Sequence, residues 1–210
     1  MTFPVAAAVA LNLIPIVGVL FWGWSAFALI FLYWLENVGI GVRTLASMAA
    51  NAVLGGGLNA LGALFFGTFF TFHYGLFCFV HGSFVVGLFG GQFAGDSMFD
   101  LVKTAQELFA SEPNLLIGFA SIVLWQIVQF VLFVARGEAK ATNPMALMAA
   151  PYPRIIVLHI AIIFGGFLLM LLNQPVAGIL VLALVKMGFD VAEAMGKGPR
   201  FGAGVPASAP

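Results

Sequence analysis

Six ionisable side chains stand inside long apolar runs of this sequence, where charged or titratable groups are costly to keep in place. They are Glu36, His73, His81, His159, Lys186 and Asp190. Imidazole and carboxylate groups are common ligands of zinc, iron and manganese. Buried acids and histidines also form the proton and ion paths of membrane transporters. These residue types therefore predict a metal centre or an ion path.

The predicted metal ligands are Glu36, His73 and His159. They come from three separate runs and reach a similar depth when each run is counted from its cytoplasmic end. Asp190 is expected to assist, as a fourth ligand or by orienting a histidine, and Lys186 is expected to balance charge. These last two residues are the candidates for catalytic roles. The expected cofactor is a divalent transition metal (Zn, Fe or Mn) that activates water for a membrane-embedded substrate.

A second group of polar residues is predicted to support this site. It consists of Asn37, His81, Gln126, Gln129 and Arg154. His81 is counted about 12 Å further from the cytoplasmic side than His73. It would be a polar partner of the site or the start of an outward path. The sequence contains neither H-E-x-x-H nor E-x-x-H, so depth is the main argument for the metal.

Other functions explain the same residues. An ion- or proton-coupled transporter or relay would use the acids and histidines directly, although no matching pair of broken helices appears in two halves of the chain. A structural or accessory subunit would use Glu36 and Asp190 to neutralise Lys186 and Arg154 without any chemistry. Axial binding of haem by two histidines, or of retinal by the lysine, is less favoured.

Composition determines the kind of fold that positions these residues. Of 210 residues, 62 % are hydrophobic and 8 % are charged, whereas soluble domains carry about 25 % charged residues. An all-α integral membrane protein is therefore predicted, with lipid as its partner. The formal net charge of zero gives no electrostatic reason to expect nucleic acid. A homo-oligomer and a larger membrane complex are both compatible with the sequence.

Six apolar runs are predicted to form a bundle of transmembrane helices, each near the length of about 20 residues that a span needs. Their approximate ranges are 5–20, 24–47, 61–89, 114–135, 153–173 and 176–195. They form one domain over residues 1–196, followed by a Gly/Pro/Ala-rich tail, 197–210, that is predicted to be disordered.

Two loops are predicted to contain short helices. An amphipathic helix over about 96–110 would lie on the outer membrane surface, with Asp96 as its N-cap. On the other side, Asn143-Pro144 predicts the cap and first position of a helix ending near Pro151.

The basic residues other than Lys186, which lies well inside a span, predict the orientation. With six spans, all of them except Lys103 fall on one side, namely Arg43, Arg136, Lys140, Arg154, Lys197 and Arg200. Because cytoplasmic loops are enriched in Lys and Arg, both termini are predicted to be cytoplasmic, in the inner membrane of a bacterium.

Four segments resemble an uncharacterised bacterial membrane-protein family, a domain of unknown function. They are Y-W-L-E-N (33–37), F-H-Y-G-L-F-C-F-V-H-G (72–82), P-Y-P-R-I-I-V-L-H-I (151–160) and K-M-G-F-D (186–190). The resemblance spans most of residues 10–193 and implies no activity. It implies importance for Glu36, Asn37, His73, His81, Arg154, His159, Lys186 and Asp190. The family often has a histidine shortly after the last acid, whereas this chain has Val191, Ala192 and Glu193 there.

Overall fold

Every element in the described part of the chain is a helix, which confirms the all-α prediction for those residues. The structure is a computed structural model that describes residues 3–94, 97, 99–153, 155–156, 159–160, 163, 183–184, 186–188, 191 and 195. The elements are α1 (Phe3–Phe21), α2 (Ala26–Leu54), α3 (Gly57–Phe89), a 3-10 turn (Gly91–Ala94), α4 (Leu101–Ser111), α5 (Leu115–Ala135), α6 (Glu138–Ala141) and α7 (Pro144–Ala149).

Three helices of the described residues, not six, are long and apolar enough to cross a membrane: α2, α3 and α5. They correspond to the predicted spans 24–47, 61–89 and 114–135. The first predicted span is also a helix, α1, with Pro15 inside it, but it is not among these three. The predicted spans 153–173 and 176–195 lie largely outside the described residues.

The central helix is α2. In its most apolar stretch 67 % of the residues are buried inside the protein, against 22 % for α3 and 17 % for α5. It packs against both of these helices. Its first turn is capped by Ser25, whose hydroxyl oxygen accepts a hydrogen bond from the Ala28 N–H at 3.1 Å. Polar residues of α2 are therefore shielded by the other helices, which present their apolar side chains outwards.

Small residues bring α2 and α3 close together. Gly41 lies against the ring of Tyr74, and Gly82 lies against the indole of Trp34, so that a Cβ atom at either position would overlap the ring. The same indole donates a hydrogen bond from Nε1 to the carbonyl oxygen of Cys78 at 2.8 Å. This contact fixes how the two helices are aligned along their axes.

At one end of the bundle, Asn51 of α2 holds the segment that contains α6 and α7. Its side-chain Nδ2 donates to the carbonyl oxygens of Ala139 and Thr142, each at 2.7 Å. The short helix predicted at Asn143-Pro144 is confirmed as α7, and Asn143 Oδ1 accepts from the Ala146 N–H at 2.7 Å. The basic residues of this segment therefore lie at the end of the bundle where α2 terminates.

At the opposite end, the predicted loop helix is present as α4 but begins later than expected. Its N-cap is Asp100, whose carboxylate accepts from the Lys103 N–H at 3.1 Å, whereas the predicted cap, Asp96, lies outside the described residues. The turn after α4 is joined to α2, because Ser25 N–H donates to Glu112 Oε2 at 3.3 Å. Acidic side chains thus gather at this end.

Candidate functional site

A buried ion pair lies beside the central helix. Lys186 Nζ is 3.0 Å from Glu36 Oε2, and the two side chains are only 6 % and 7 % exposed. The ammonium group also lies over the ring of Tyr33, 5.2 Å from its centroid. Glu36 and Tyr33 are three residues apart on α2, so they face the same neighbour. The contact brings Glu36 and Lys186 together in the interior of the bundle.

Other polar groups of the bundle interior lie on α2 and α5. Asn37 is buried, and its carbonyl oxygen accepts a hydrogen bond from Tyr74 Oη at 2.7 Å. Gln126 is buried against Gly39, whereas Gln129 is half-buried. The amide oxygens Asn37 Oδ1 and Gln126 Oε1 have no hydrogen-bond partner within the described part of the chain. They are acceptors available to a bound water or ligand.

Two of the three histidines lie side by side. The ring centroids of His81 and His159 are 4.6 Å apart, with the ring planes inclined by 45°. Phe77 packs on both, stacked on His81 at 5.7 Å and tilted against His159 at 5.6 Å. His81 is 5 % exposed, and the buried atoms His81 Nε2 and His159 Nδ1 have no hydrogen-bond partner among the described residues.

The third histidine, His73, lies on a different surface. Its ring is exposed, stacked on Phe69 at 5.2 Å between centroids, and is 6.1 Å from the ring of Tyr152. It borders a cavity of about 170 Å³ between α3 and the helical residues that follow α7. The cavity is lined by His73, Tyr74, Phe77, Tyr152, Ile155, Ile156, His159 and Ile160. His73 and His159 therefore share a cavity without being in contact.

The described residues do not bring the three predicted metal ligands together. Glu36 is bound to Lys186, His159 lies beside His81, and His73 is exposed. Within the described ranges, no three side chains of His, Cys, Asp or Glu could hold a metal ion in common. Asp190 and Arg154 lie outside the described residues, so their predicted roles stay predictions, as does the divalent metal.

The sequence-based depth count misplaced His159. The count put it in the same layer as His73, with His81 about 12 Å further out, but the structure has Tyr152 beside His73 and His159 beside His81. The reason is the length of α3, whose 33 residues extend over about 50 Å, well beyond the hydrocarbon layer of about 30 Å. The first residue of such a helix therefore does not mark the edge of the membrane.

Sequence reasoning overlooked two positioning residues, Trp34 and Asn51. A signal for the second was present, since Asn37, Thr44 and Asn51 recur every seven residues and all three are buried on α2. Nothing in the sequence marks the indole of Trp34 as a hydrogen-bond donor to a neighbouring helix.

Comparison with known proteins gives a family but no activity. A family model described as "Family of unknown function (DUF6498)" matches residues 1–200. No curated protein matches the chain, and no solved structure matches it.

Proposed function

Since the chain belongs to the DUF6498 family of unknown function, we propose its function from its own residues: a multi-pass protein of the bacterial inner membrane that relays protons. The observation that carries this proposal is the Glu36–Lys186 contact of 3.0 Å between two almost fully buried side chains. Both termini would be cytoplasmic and six helices would span the bilayer, as the sequence predicts. Protons would enter or leave through the ion pair.

The energetic argument concerns the two protonation states of this pair. In water, a carboxylate and an ammonium group are favoured over the neutral acid and amine by about 8 kcal/mol, from their reference acidities. Burial costs each ion several kcal/mol of hydration, and the attraction between the two ions at 3.0 Å offsets part of that cost, so burial narrows the energy difference between the charged and the neutral pair. Transfer of a proton from Lys186 to Glu36 and back is the step that the proposed relay requires. Two apolar side chains would fill the same space at no greater cost, which favours a functional reason for the charges.

Further acceptors lie on the helices that pack together here. Asn37 Oδ1 and Gln126 Oε1 are buried and lack partners within the described residues. Each can accept a hydrogen bond from a water molecule, and chains of such waters conduct protons between titratable groups. These two amides support the proposal of a path that continues beyond the ion pair.

Proton flux into liposomes tests the proposal. Purified protein is reconstituted with a pH-sensitive dye inside the vesicles, and a potassium gradient with valinomycin drives protons inwards. Wild-type protein should acidify the lumen, whereas Glu36→Gln and Lys186→Met should each abolish the flux. The matched control is Glu107→Gln, which removes an exposed carboxylate of α4 that pairs with Lys103 at 3.9 Å. This variant should conduct like the wild type.

A purely structural role for the pair predicts a different result. Wild-type vesicles would then show no more flux than empty vesicles, although the protein is folded. Absence of wild-type flux would reject the relay.

A further inference from the structure

The neighbouring imidazoles of α3 and of the segment after α7 form a second polar centre, separate from the ion pair. We propose that His81 and His159 bind a late transition-metal ion, zinc or copper. The inference does not depend on proton relay by Glu36 and Lys186. It replaces two of the three ligands predicted from the sequence, because Glu36 is held by Lys186 and His73 is exposed.

The spacing of the two rings fits a shared metal. Metal–nitrogen bonds to histidine are about 2 Å long, so two imidazoles bound to one ion at a tetrahedral angle have ring centres about 5 Å apart. The observed separation of the His81 and His159 centroids is 4.6 Å. A linear arrangement, with the metal midway between opposed nitrogens, would place the ring centres about 6 Å apart and fits less well.

The nitrogen atoms at this centre need a partner. His81 Nε2 and His159 Nδ1 are buried and make no hydrogen bond to any described residue, and His81 as a whole is only 5 % exposed. Buried polar atoms in proteins are almost always satisfied, by protein groups, water or an ion. Two orphaned imidazole nitrogens on different helices, with their rings in contact, are the donor set that zinc and copper accept.

The surroundings leave room for an outside ligand. Phe77 covers both imidazoles on one side, and His159 borders the cavity of about 170 Å³ beside α3. Two protein ligands leave two positions of a tetrahedral ion open, one more than catalytic zinc sites with three protein ligands. A small donor molecule that enters the cavity could occupy them. The second polar centre is thus a candidate site for metal-bound chemistry next to lipid.

Metal retention by the full-length protein tests the inference. The protein carries a tag without histidine, is loaded with Zn²⁺ or, under anaerobic conditions, Cu⁺, and is desalted before elemental analysis. Wild-type protein should retain about one equivalent of one of these ions, and His81→Ala or His159→Ala less than about 0.2. His73→Ala is the matched control, since His73 borders the same cavity but lies outside the imidazole pair. It should retain the metal.

X-ray absorption reports the ligands of the retained ion directly. A purely structural role of the histidines would give no imidazole ligands in this spectrum. The spectrum of the loaded wild-type protein should show two imidazole ligands on the retained ion. The more conservative variants His81→Gln and His159→Gln keep a polar side chain in place if the alanine variants fail to fold, and should also lose the ion. Failure of the wild type to retain either ion would overturn the proposal. The proposal would also be overturned if His81→Gln retained as much metal as the wild type, or if His73→Ala lost as much metal as His81→Ala.

Discussion

Replacing Gly82 by alanine should destabilise the protein, because α2 and α3 are in close contact there. A Cβ atom at this position would lie 2.5 Å from Trp34 Cε2 and 2.7 Å from both Cζ2 and Nε1. The indole has little freedom to retreat, since Nε1 donates to the carbonyl oxygen of Cys78 at 2.8 Å. Overpacking of this kind costs about 1–3 kcal/mol, and a lost hydrogen bond adds about 1 kcal/mol. Alanine has a better helix propensity than glycine, which offsets about 1 kcal/mol of this destabilisation.

The expected net loss is therefore about 1–3 kcal/mol in the free energy of unfolding, measured by circular dichroism during titration with sodium dodecyl sulfate in mixed micelles. Gly75→Ala is the matched control on the same helix, because a Cβ atom there would meet nothing within 4 Å. It should leave stability unchanged or raise it by up to about 1 kcal/mol. In a Trp34→Ala background the penalty of Gly82→Ala should largely vanish. A Gly82→Ala protein as stable as Gly75→Ala would refute the reasoning.

Three further changes test the elements that frame the site. Asn51→Ala removes one buried and one partly buried hydrogen bond and should lower the free energy of unfolding by about 2–3 kcal/mol, with faster amide exchange in α6; unchanged exchange would contradict this. Asp100→Ala removes the N-cap of α4 and should weaken that helix by about 1 kcal/mol, seen as faster exchange confined to α4. Glu36→Gln and Lys186→Met should each cost about 3–5 kcal/mol, and the double variant less than the sum; strict additivity would mean that the two side chains do not interact.

Hydrophobicity predicted the described long helices well, because a segment in lipid must satisfy its backbone hydrogen bonds internally. The predicted run 114–135 matches α5 almost to the residue. The prediction failed at the end of α2, which was expected near residue 47 and continues to Leu54. The residues between (M-A-A-N-A-V-L) are apolar except for Asn51 and favour a helix, so the predicted end was placed too early. Asn51 nevertheless points inwards from this last part of the helix and holds the carbonyl groups of the next segment.

The site was harder to predict than the helices, because the direction in which a side chain points depends on which neighbours pack against its helix. His73 and Tyr74 are adjacent in sequence, but about 100° apart around α3. Tyr74 faces α2 and donates to the Asn37 carbonyl, whereas His73 is exposed. When a run is apolar throughout, its sequence does not show which of two adjacent residues is buried and which is exposed. The Glu36–Lys186 contact was accessible, since both residues are rare charges in otherwise apolar spans.

The way α2 and α3 are held together bears on the role of the buried charges. Uncharged contacts already specify their alignment: an indole hydrogen bond to Cys78, a tyrosine hydrogen bond to Asn37, and glycines beneath aromatic rings. The pairing of Lys186 with Glu36 adds nothing to this alignment and connects α2 to a different segment. That connection could be made by apolar side chains without the cost of burying two ions. The proposed proton relay accounts for such a charge pair, because its reaction would use the proton that the two side chains share.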